Sequence, residues 1–534
     1  MKLFRQSLIL SHRYLGIAIS LLVVVWFASG IVMMYAGGMP RLAPELRLER
    51  LPDVDLSLVN LTLAEVAQKA GFDADAGWDG RVTLLTIMNR PAYRFAGGPT
   101  VFADTGEEMD VLSLEQAKTV ASRFMNMPED KVRHVRTLTE PDQWTLGQGR
   151  QMPQYKFAAD DGAGSELYVP AKAGEVTMYT THESRLSAWL GVIPHWLYFS
   201  ALRANQPLWY KIVVWTSTLA CALGLLGLVL GGIKFRWPKP FRWSAAIPYA
   251  GWMRWHYITG MVFGVFTVTW AFSGLLSMEP YEWTRARGLQ VPRDAFTGDP
   301  VELTKYAKME PAAWTQVLDG RAIKEVDFTR IQDEPYYAVH PAPQASEIAR
   351  RERLHQPYNV TGRAEPDRLL ITADTMQVRK EPFSTESLVT RLKLAFPDVP
   401  ITEQAVLQDY DSYYYSRGRI TPLPVLRVKF DDPMKTWVYV DPATSQVLAQ
   451  IHRLNRIERW LYNGLHSLDF SFWYNSWTWW AGMIVLLLGG LASSVLGFYL
   501  GLIRLKRSAT RGLAALGDTS DRGAPAGVSS SQNS

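Results

Sequence analysis

Four apolar runs constrain this 534-residue chain more than any other feature: Leu15–Tyr35, Ile212–Ile233, Ile258–Met278 and Trp479–Ile503, none with a charged side chain. Each reaches the roughly 20 residues that a helix needs to cross a hydrocarbon core. Helices satisfy their own backbone hydrogen bonds, so they are the form in which such runs enter lipid. The first run follows "MKLFRQ". It is expected to be a span rather than a cleaved leader, because it is too long for a leader's apolar region and lacks a small-x-small cleavage site. It also has an internal look-alike. "HRYLGIAISLLVVVWFASGI" begins at His12 and "HYITGMVFGVFTVTWAFSGL" begins at His256. Both carry Gly four residues after the histidine, at Gly16 and Gly260, and Ser-Gly near the end, at Ser29-Gly30 and Ser273-Gly274.

Charge gives an expected orientation. No Asp or Glu occurs from Met1 to Pro44, from Pro207 to Met278 or from Phe470 to Gly517. Lys2, Arg5 and Arg13 precede or open the first run. Lys234, Arg236, Lys239, Arg242 and Arg254 lie between the second and third, and Arg504, Lys506, Arg507 and Arg511 follow the fourth. If all four runs span, these clusters share one side, and the positive-inside rule makes it cytoplasmic. All but two of the 51 acids, Asp518 and Asp521, then lie outside. The sequence pI of about 9.0 therefore reflects membrane anchoring, with lipid and not nucleic acid as the partner. The one cysteine, Cys221, rules out a disulfide within the chain and a Cys-x-x-Cys-His haem attachment.

The look-alike pair belongs to a longer internal match. Without a gap, Tyr168, Val176, Arg185, Trp189, His195 and Phe199 correspond to Tyr439, Val447, Arg456, Trp460, His466 and Phe470. Upstream, "DQWTLGQGR" from Asp142 matches "DSYYYSRGR" from Asp411 in length and ends. Shared spacing over such distances is the mark of duplication. Each half reads as span, outer domain, span, and both halves enter from the same side, as parallel repeats do. Within the outer domains, "LTLAEVAQKA", "LSLEQAKTVASRF", "PAAWTQVLD" and "FSTESLVTRLKLAF" have helical spacing. "RVTLLTI", "YKFAAD", "VLRVKF" and "TWVYVDP" alternate as strands do. A helix followed by an antiparallel sheet, twice per outer domain, is the simplest account.

The expected fold class is therefore an α+β membrane protein with four transmembrane helices in two parallel repeats, each repeat holding a large extracytoplasmic α+β domain. The expected divisions are 1–36 with the first span, 37–207 outside, 208–233 the second span and 234–251 a basic cytoplasmic loop. They continue with 252–278 the third span, 279–475 outside, 476–503 the fourth span and 504–534 a disordered cytoplasmic tail.

"LSLEQAKTVA" followed by "YVDPATSQV" resembles the PepSY module, and the spans headed by "HRYLG" and "HYITG" resemble PepSY-associated transmembrane helices. Pro170, where the second copy has Asp441, and Gly174, where it has Ser445, depart from the module pattern. The resemblance covers most of the chain. It implies similarity to inner-membrane ferric-siderophore reductases, which hold b-type haem between histidine-bearing helices. It equally covers PepSY proteins that bind a partner or inhibit a peptidase.

Nine histidines occur, and four of them stand at matched positions near spans: His12, His256, His195 and His466. His134, His182, His340, His355 and His452 have no matched copy and are expected to be ordinary outer-domain residues. A haem iron takes two axial imidazoles from opposite faces of the macrocycle. His12 with His256 would form an inner site and His195 with His466 an outer one, giving two haems b. Gly16 and Gly260 would leave room for a macrocycle, and Arg13 and Arg254 could hold propionates. The same residues also fit interfacial anchoring and plain helix packing. An aromatic belt accounts for Trp196, Tyr198, Trp209, Trp473, Trp477, Trp479 and Trp480. His195 stands well before its run, with Pro207 between, so its stretch either lies on the outer surface or folds back on the bundle.

Two functions of different class follow. One is a haem-dependent membrane oxidoreductase that moves electrons from an unidentified cytoplasmic or quinone-level donor to a periplasmic acceptor such as a ferric siderophore. The other is a non-enzymatic inner-membrane protein whose outer modules bind a partner. Uncharged spans argue against a transporter.

Overall fold

A computed structural model of the chain describes residues 2–521, except 37, 241, 281–287, 299, 308, 343–367, 416–420, 471 and 475. Four long helices carry the four apolar runs: Lys2–Tyr35, Gln206–Lys234, Gly251–Leu276 and Trp477–Asp521. They are called spans one to four below. Each holds a window of mean hydropathy between 1.6 and 2.5, and no more than 28% of any such window is buried within the protein. Leu21, Trp215, Leu225, Val262, Val265, Val485 and Leu488 are all more than half exposed on the bundle's outside. Water would penalise such a surface heavily, and acyl chains remove the penalty. The chain is a membrane protein.

The spans pack in cyclic order one, two, three, four, so that one and three are diagonal across the bundle, as are two and four. Ile19, Val23, Phe27, Ala220 and Leu487 form its buried middle. Two helices extend beyond the expected limits. Span one begins at Lys2, which puts His12 inside a helix rather than at its mouth. Span four continues to Asp521 where a disordered tail is expected from 504. "RLKRSATRGLAALG" has no proline and is rich in Ala, Leu, Lys and Arg, so an established helix propagates through it. The remainder of that tail, 522–534, lies outside the described residues.

The long connections fold as helices followed by antiparallel strands, four times over. Leu63–Lys69 precedes β1 (Val82–Ile87), β2 (Arg90–Phe95) and β3 (Thr100–Phe102). Leu114–Met125 precedes β4 (Val132–Leu138), β5 (Gln154–Ala159), β6 (Glu166–Pro170) and β7 (Met178–Thr180). Pro311–Val317 precedes β8 (Ile323–Ile331), β9 (Glu334–Pro341) and β10 (Leu369–Thr372). Thr385–Ala395 precedes β11 (Ile401–Leu407), β12 (Val425–Phe430), β13 (Trp437–Asp441) and β14 (Gln446–Ile451). The helix starts are local chemistry: Thr62 with Glu65 and Ser113 with Gln116 form reciprocal capping boxes, Ser384 caps with its hydroxyl, and Pro311 opens its helix.

The two connections are not independent units. β1 pairs antiparallel with β8, Leu84 opposite Val326, and makes one six-stranded sheet of order β10-β9-β8-β1-β2-β3. One face buries Val82, Leu84, Val326 and Phe328 under the two short helices, the second of which contributes Trp314. On the central strands the other face is mixed, with Thr83, Glu325 and Asp327 beside the apolar Leu85 and Ile87. β4–β7 and β11–β14 form separate four-stranded meanders.

Candidate functional site

His12 faces His256, and His195 faces His466, with ring centroids 6.4 Å and 6.2 Å apart. All four predicted histidines are thus brought together in the predicted pairs. In the inner pair the rings come from the diagonal spans one and three. His12 Nδ1 lies 3.1 Å from the Leu223 carbonyl of span two, and His256 Nδ1 lies 3.1 Å from the Ser493 carbonyl of span four. A carbonyl only accepts, so each Nδ1 carries the hydrogen and each Nε2 keeps its lone pair. Among the described residues neither Nε2 has a hydrogen-bond partner.

Close packing holds these rings. A Cβ at Gly227 would lie 2.9 Å from His12 Cε1, and one at Gly497 would lie 3.1 Å from His256 Cε1. Each glycine stands four residues after the carbonyl that its histidine bonds, so one helical turn supplies both the acceptor and the space. Gly16 and Gly260 do something else. Their open faces meet Leu223 at 3.8 Å and Ser493 Oγ at 3.6 Å, which is ordinary contact between neighbouring helices. Room around the histidines comes from the glycines of spans two and four, which sequence reasoning missed. Spans two and four are less alike in sequence than spans one and three.

The outer pair does fold back on the bundle. His195 sits on the short helix Val192–Trp196, and its Nδ1 lies 3.2 Å from the Trp26 carbonyl and 3.1 Å from Ser29 Oγ of span one. His466 sits on Leu465–Ser467, directly after a π-helical turn at Trp460–Gly464, with Nδ1 2.9 Å from Ser273 Oγ of span three. Leu197 and Leu468, each two residues after its histidine, take left-handed conformations with φ of 53° and 49°. That backbone costs a non-glycine residue about 1–2 kcal/mol and ends each turn abruptly. Trp209 then donates its indole N–H to the Trp196 carbonyl at 2.9 Å, and Trp479 donates to the Ser467 carbonyl at 2.8 Å. These two tryptophans, read from sequence as interfacial belt, pin the carbonyl next to each histidine. Trp477 is 80% exposed and does have the environment of a belt residue.

Ser29 lies 17 residues beyond His12 on span one, about 25 Å along the axis at about 1.5 Å per residue. The two pairs therefore stand near opposite ends of the hydrocarbon layer. Arg13 and Arg254, half-buried beside the inner pair, have no hydrogen-bond or ion-pair partner among the described residues. Ser20 Oγ and Trp270 Nε1, buried in the bundle, likewise have none.

The unmatched histidines behave differently from these four. His452 caps the helix Arg453–Arg459, accepting from the Leu454 and Asn455 amides. His340 lies within 4.8 Å of Glu325 and Asp327, a set of metal-ligating types. Arg47 bonds Glu325 at 2.9 Å and Arg81 approaches Asp327 at 3.3 Å, so this cluster is already neutralised as part of an ion-pair network. Burial holds the His340 imidazole below its ordinary range. His355 lies outside the described residues.

A four-helix membrane bundle with a facing histidine pair at each end defines the class. The family model of the PepSY-associated TM region matches residues 9–358, and the chain belongs to that family. The match takes in His12, His195 and His256, while His466 lies beyond it. No curated protein matches the chain.

Proposed function

We propose that this protein is a di-haem b-type oxidoreductase of a bacterial inner membrane, moving electrons across the bilayer to a periplasmic acceptor such as a ferric siderophore. The observation that carries this reading is the spacing of the rings. Two imidazoles on one iron, with metal–nitrogen bonds of about 2 Å and ring centroids about 1 Å behind each nitrogen, stand about 6 Å apart. The pairs here stand at 6.4 Å and 6.2 Å. The donor set fits as well: Nδ1 is tied back in each ring, which leaves Nε2 as the ligand atom. Haem, when bound, supplies reversible one-electron chemistry at each pair.

The residues around the pairs have definable tasks. His12 and His256 would hold the inner group and His195 and His466 the outer one. Arg13 and Arg254 would take its carboxylates, since both guanidinia lack another partner among the described residues. The three basic clusters support an orientation with both termini inside and both β-rich connections outside. The matched carbonyls, glycines and tryptophans support two parallel repeats about an axis along the membrane normal. In the periplasm, reduction of a bound ferric chelate would weaken its hard-oxygen coordination and release iron.

The test is an absorption spectrum of detergent-purified protein with a quantified haem content. Bands that shift on reduction and about two haems per chain are expected, with about one lost in His12→Ala or His195→Ala. A colourless protein that can take up no haem would overturn the reading and leave a membrane-anchored binding protein.

A further inference from the structure

The Ser-Gly that closes each matched run is unexplained by spanning or packing, and its position in the fold gives it a task. We infer that Ser29 and Ser273 are positioning residues for the outer histidine pair, fixing the tautomer and orientation of His195 and His466; this rests on the di-haem reading. Ser29 Oγ donates to the Val25 carbonyl at 2.6 Å within its own helix, and Ser273 Oγ donates to the Trp270 carbonyl at 3.1 Å. A hydroxyl has one hydrogen, so what each offers its histidine is a lone pair. His195 Nδ1, which also faces the Trp26 carbonyl at 3.2 Å and so carries the hydrogen, donates to Ser29 at 3.1 Å, and His466 Nδ1 is assigned the same role toward Ser273 at 2.9 Å. Both Nε2 atoms are left as lone-pair donors, the state that ligates a metal.

In the inner pair the peptide carbonyls of Leu223 and Ser493 do this work, and at His195 the Trp26 carbonyl, 3.2 Å from Nδ1, shares it with Ser29. A carbonyl cannot be removed by substitution, whereas a hydroxyl can. The outer site is therefore the one in which a side chain, at one position per repeat, takes part in holding each ligand. An N–H held by an acceptor makes its imidazole a stronger electron donor, which favours ferric over ferrous iron. Removing the hydroxyls should move the outer site's potential upward and leave the inner site's unchanged. Gly30 adds a steric part: a Cβ there would lie 3.6 Å from His195 Cε1, so the serine's neighbour leaves the ring in simple contact.

The experiment has two arms on the full-length protein in detergent. Nitrogen NMR of histidine-labelled, haem-free protein reads the tautomer directly. Wild type should show Nδ1–H signals at His195 and His466, and Ser29→Ala with Ser273→Ala should shift or broaden them. In the second arm, haem titration and a potentiometric titration compare wild type, the double alanine variant and the double threonine variant. The double alanine variant should bind the outer haem about 10–100-fold more weakly, with a more positive outer transition. Threonine keeps the hydroxyl and should restore both. Ser20→Ala removes another buried span-one hydroxyl, one without a hydrogen-bond partner, and should change neither. An unchanged outer transition and tautomer in the double alanine variant overturn the assignment, as does an equal shift in Ser20→Ala. Wild type that takes up no haem while its Nδ1–H signals respond as expected overturns the di-haem reading and leaves the positioning role standing.

Discussion

At the residue scale, glycine and histidine share the inner site. Gly227→Ala puts a methyl 2.9 Å from His12 Cε1 and Gly497→Ala puts one 3.1 Å from His256 Cε1. Each should lower inner haem content while membrane insertion stays intact, as read from the haem-to-protein ratio of purified membranes. Gly16→Ala and Gly260→Ala should be tolerated, because their added methyls meet neighbours at 3.8 and 3.6 Å. Alanine also favours a helix by about 1 kcal/mol over glycine. Sequence reading did not find Gly227 and Gly497, since spacing along one helix says nothing about which face a neighbour occupies. Trp479→Phe keeps the ring and loses the N–H that holds the Ser467 carbonyl. It should reduce outer haem occupancy and leave the inner site alone, again read by haem content.

At the element scale, the six-stranded sheet is fastened by charge as well as by strand pairing. Arg47, in the short helix Pro44–Arg50, bonds Glu175 at 2.7 Å and Glu325 of β8 at 2.9 Å, and Glu175 also pairs with Arg94 of β2. Glu175 and Glu325 are nearly buried, so Arg47→Ala leaves two carboxylates short of a cation. A loss of about 3–5 kcal/mol is expected from breaking a buried pair, measured by thermal unfolding in detergent. Burial alone would raise the Glu175 carboxyl, but Arg94 and Arg47 outweigh it and hold it below the ordinary range. A carboxyl lowered in the fold contributes stability that is fully present above its unfolded value and lost as pH falls through its folded one. Thermal midpoints should therefore stay level from neutral pH down to the usual glutamate range and drop below it, and Glu175→Gln should flatten that drop. The helices and strands themselves were legible in capping residues and alternation. The joining of β1 to β8 was not, because a strand's apolar pattern does not name its partner.

At the scale of the whole molecule, the basic clusters and the uncharged runs predict both β-rich connections on the outer side. Reporter fusions at Leu112 and Gln377 should be active only as exported forms, and cytoplasmic activity at either would reverse the orientation. The shared sheet gives this a structural consequence. Both connections must emerge at one end of the bundle for β1 to reach β8, as the antiparallel register from Val82 with Phe328 to Leu85 with Glu325 requires. A chain with one connection on each side of a membrane could not form it.

The sequence by itself determined the solvent of each part. Long uncharged runs must be helices in lipid, and capped amphipathic segments followed by alternating ones must be half-buried helices and strands in water, because both follow from local composition and period. It also singled out the four histidines, since matched spacing survives in one dimension. Tertiary structure decided what they face. The inner pair meets only because spans one and three lie on a diagonal, and the outer pair only because left-handed turns at Leu197 and Leu468 return the chain to the bundle. Contacts between residues 166 and 237 positions apart, such as Ser29 with His195 and His256 with Ser493, depend on how helices pack, which no local pattern encodes.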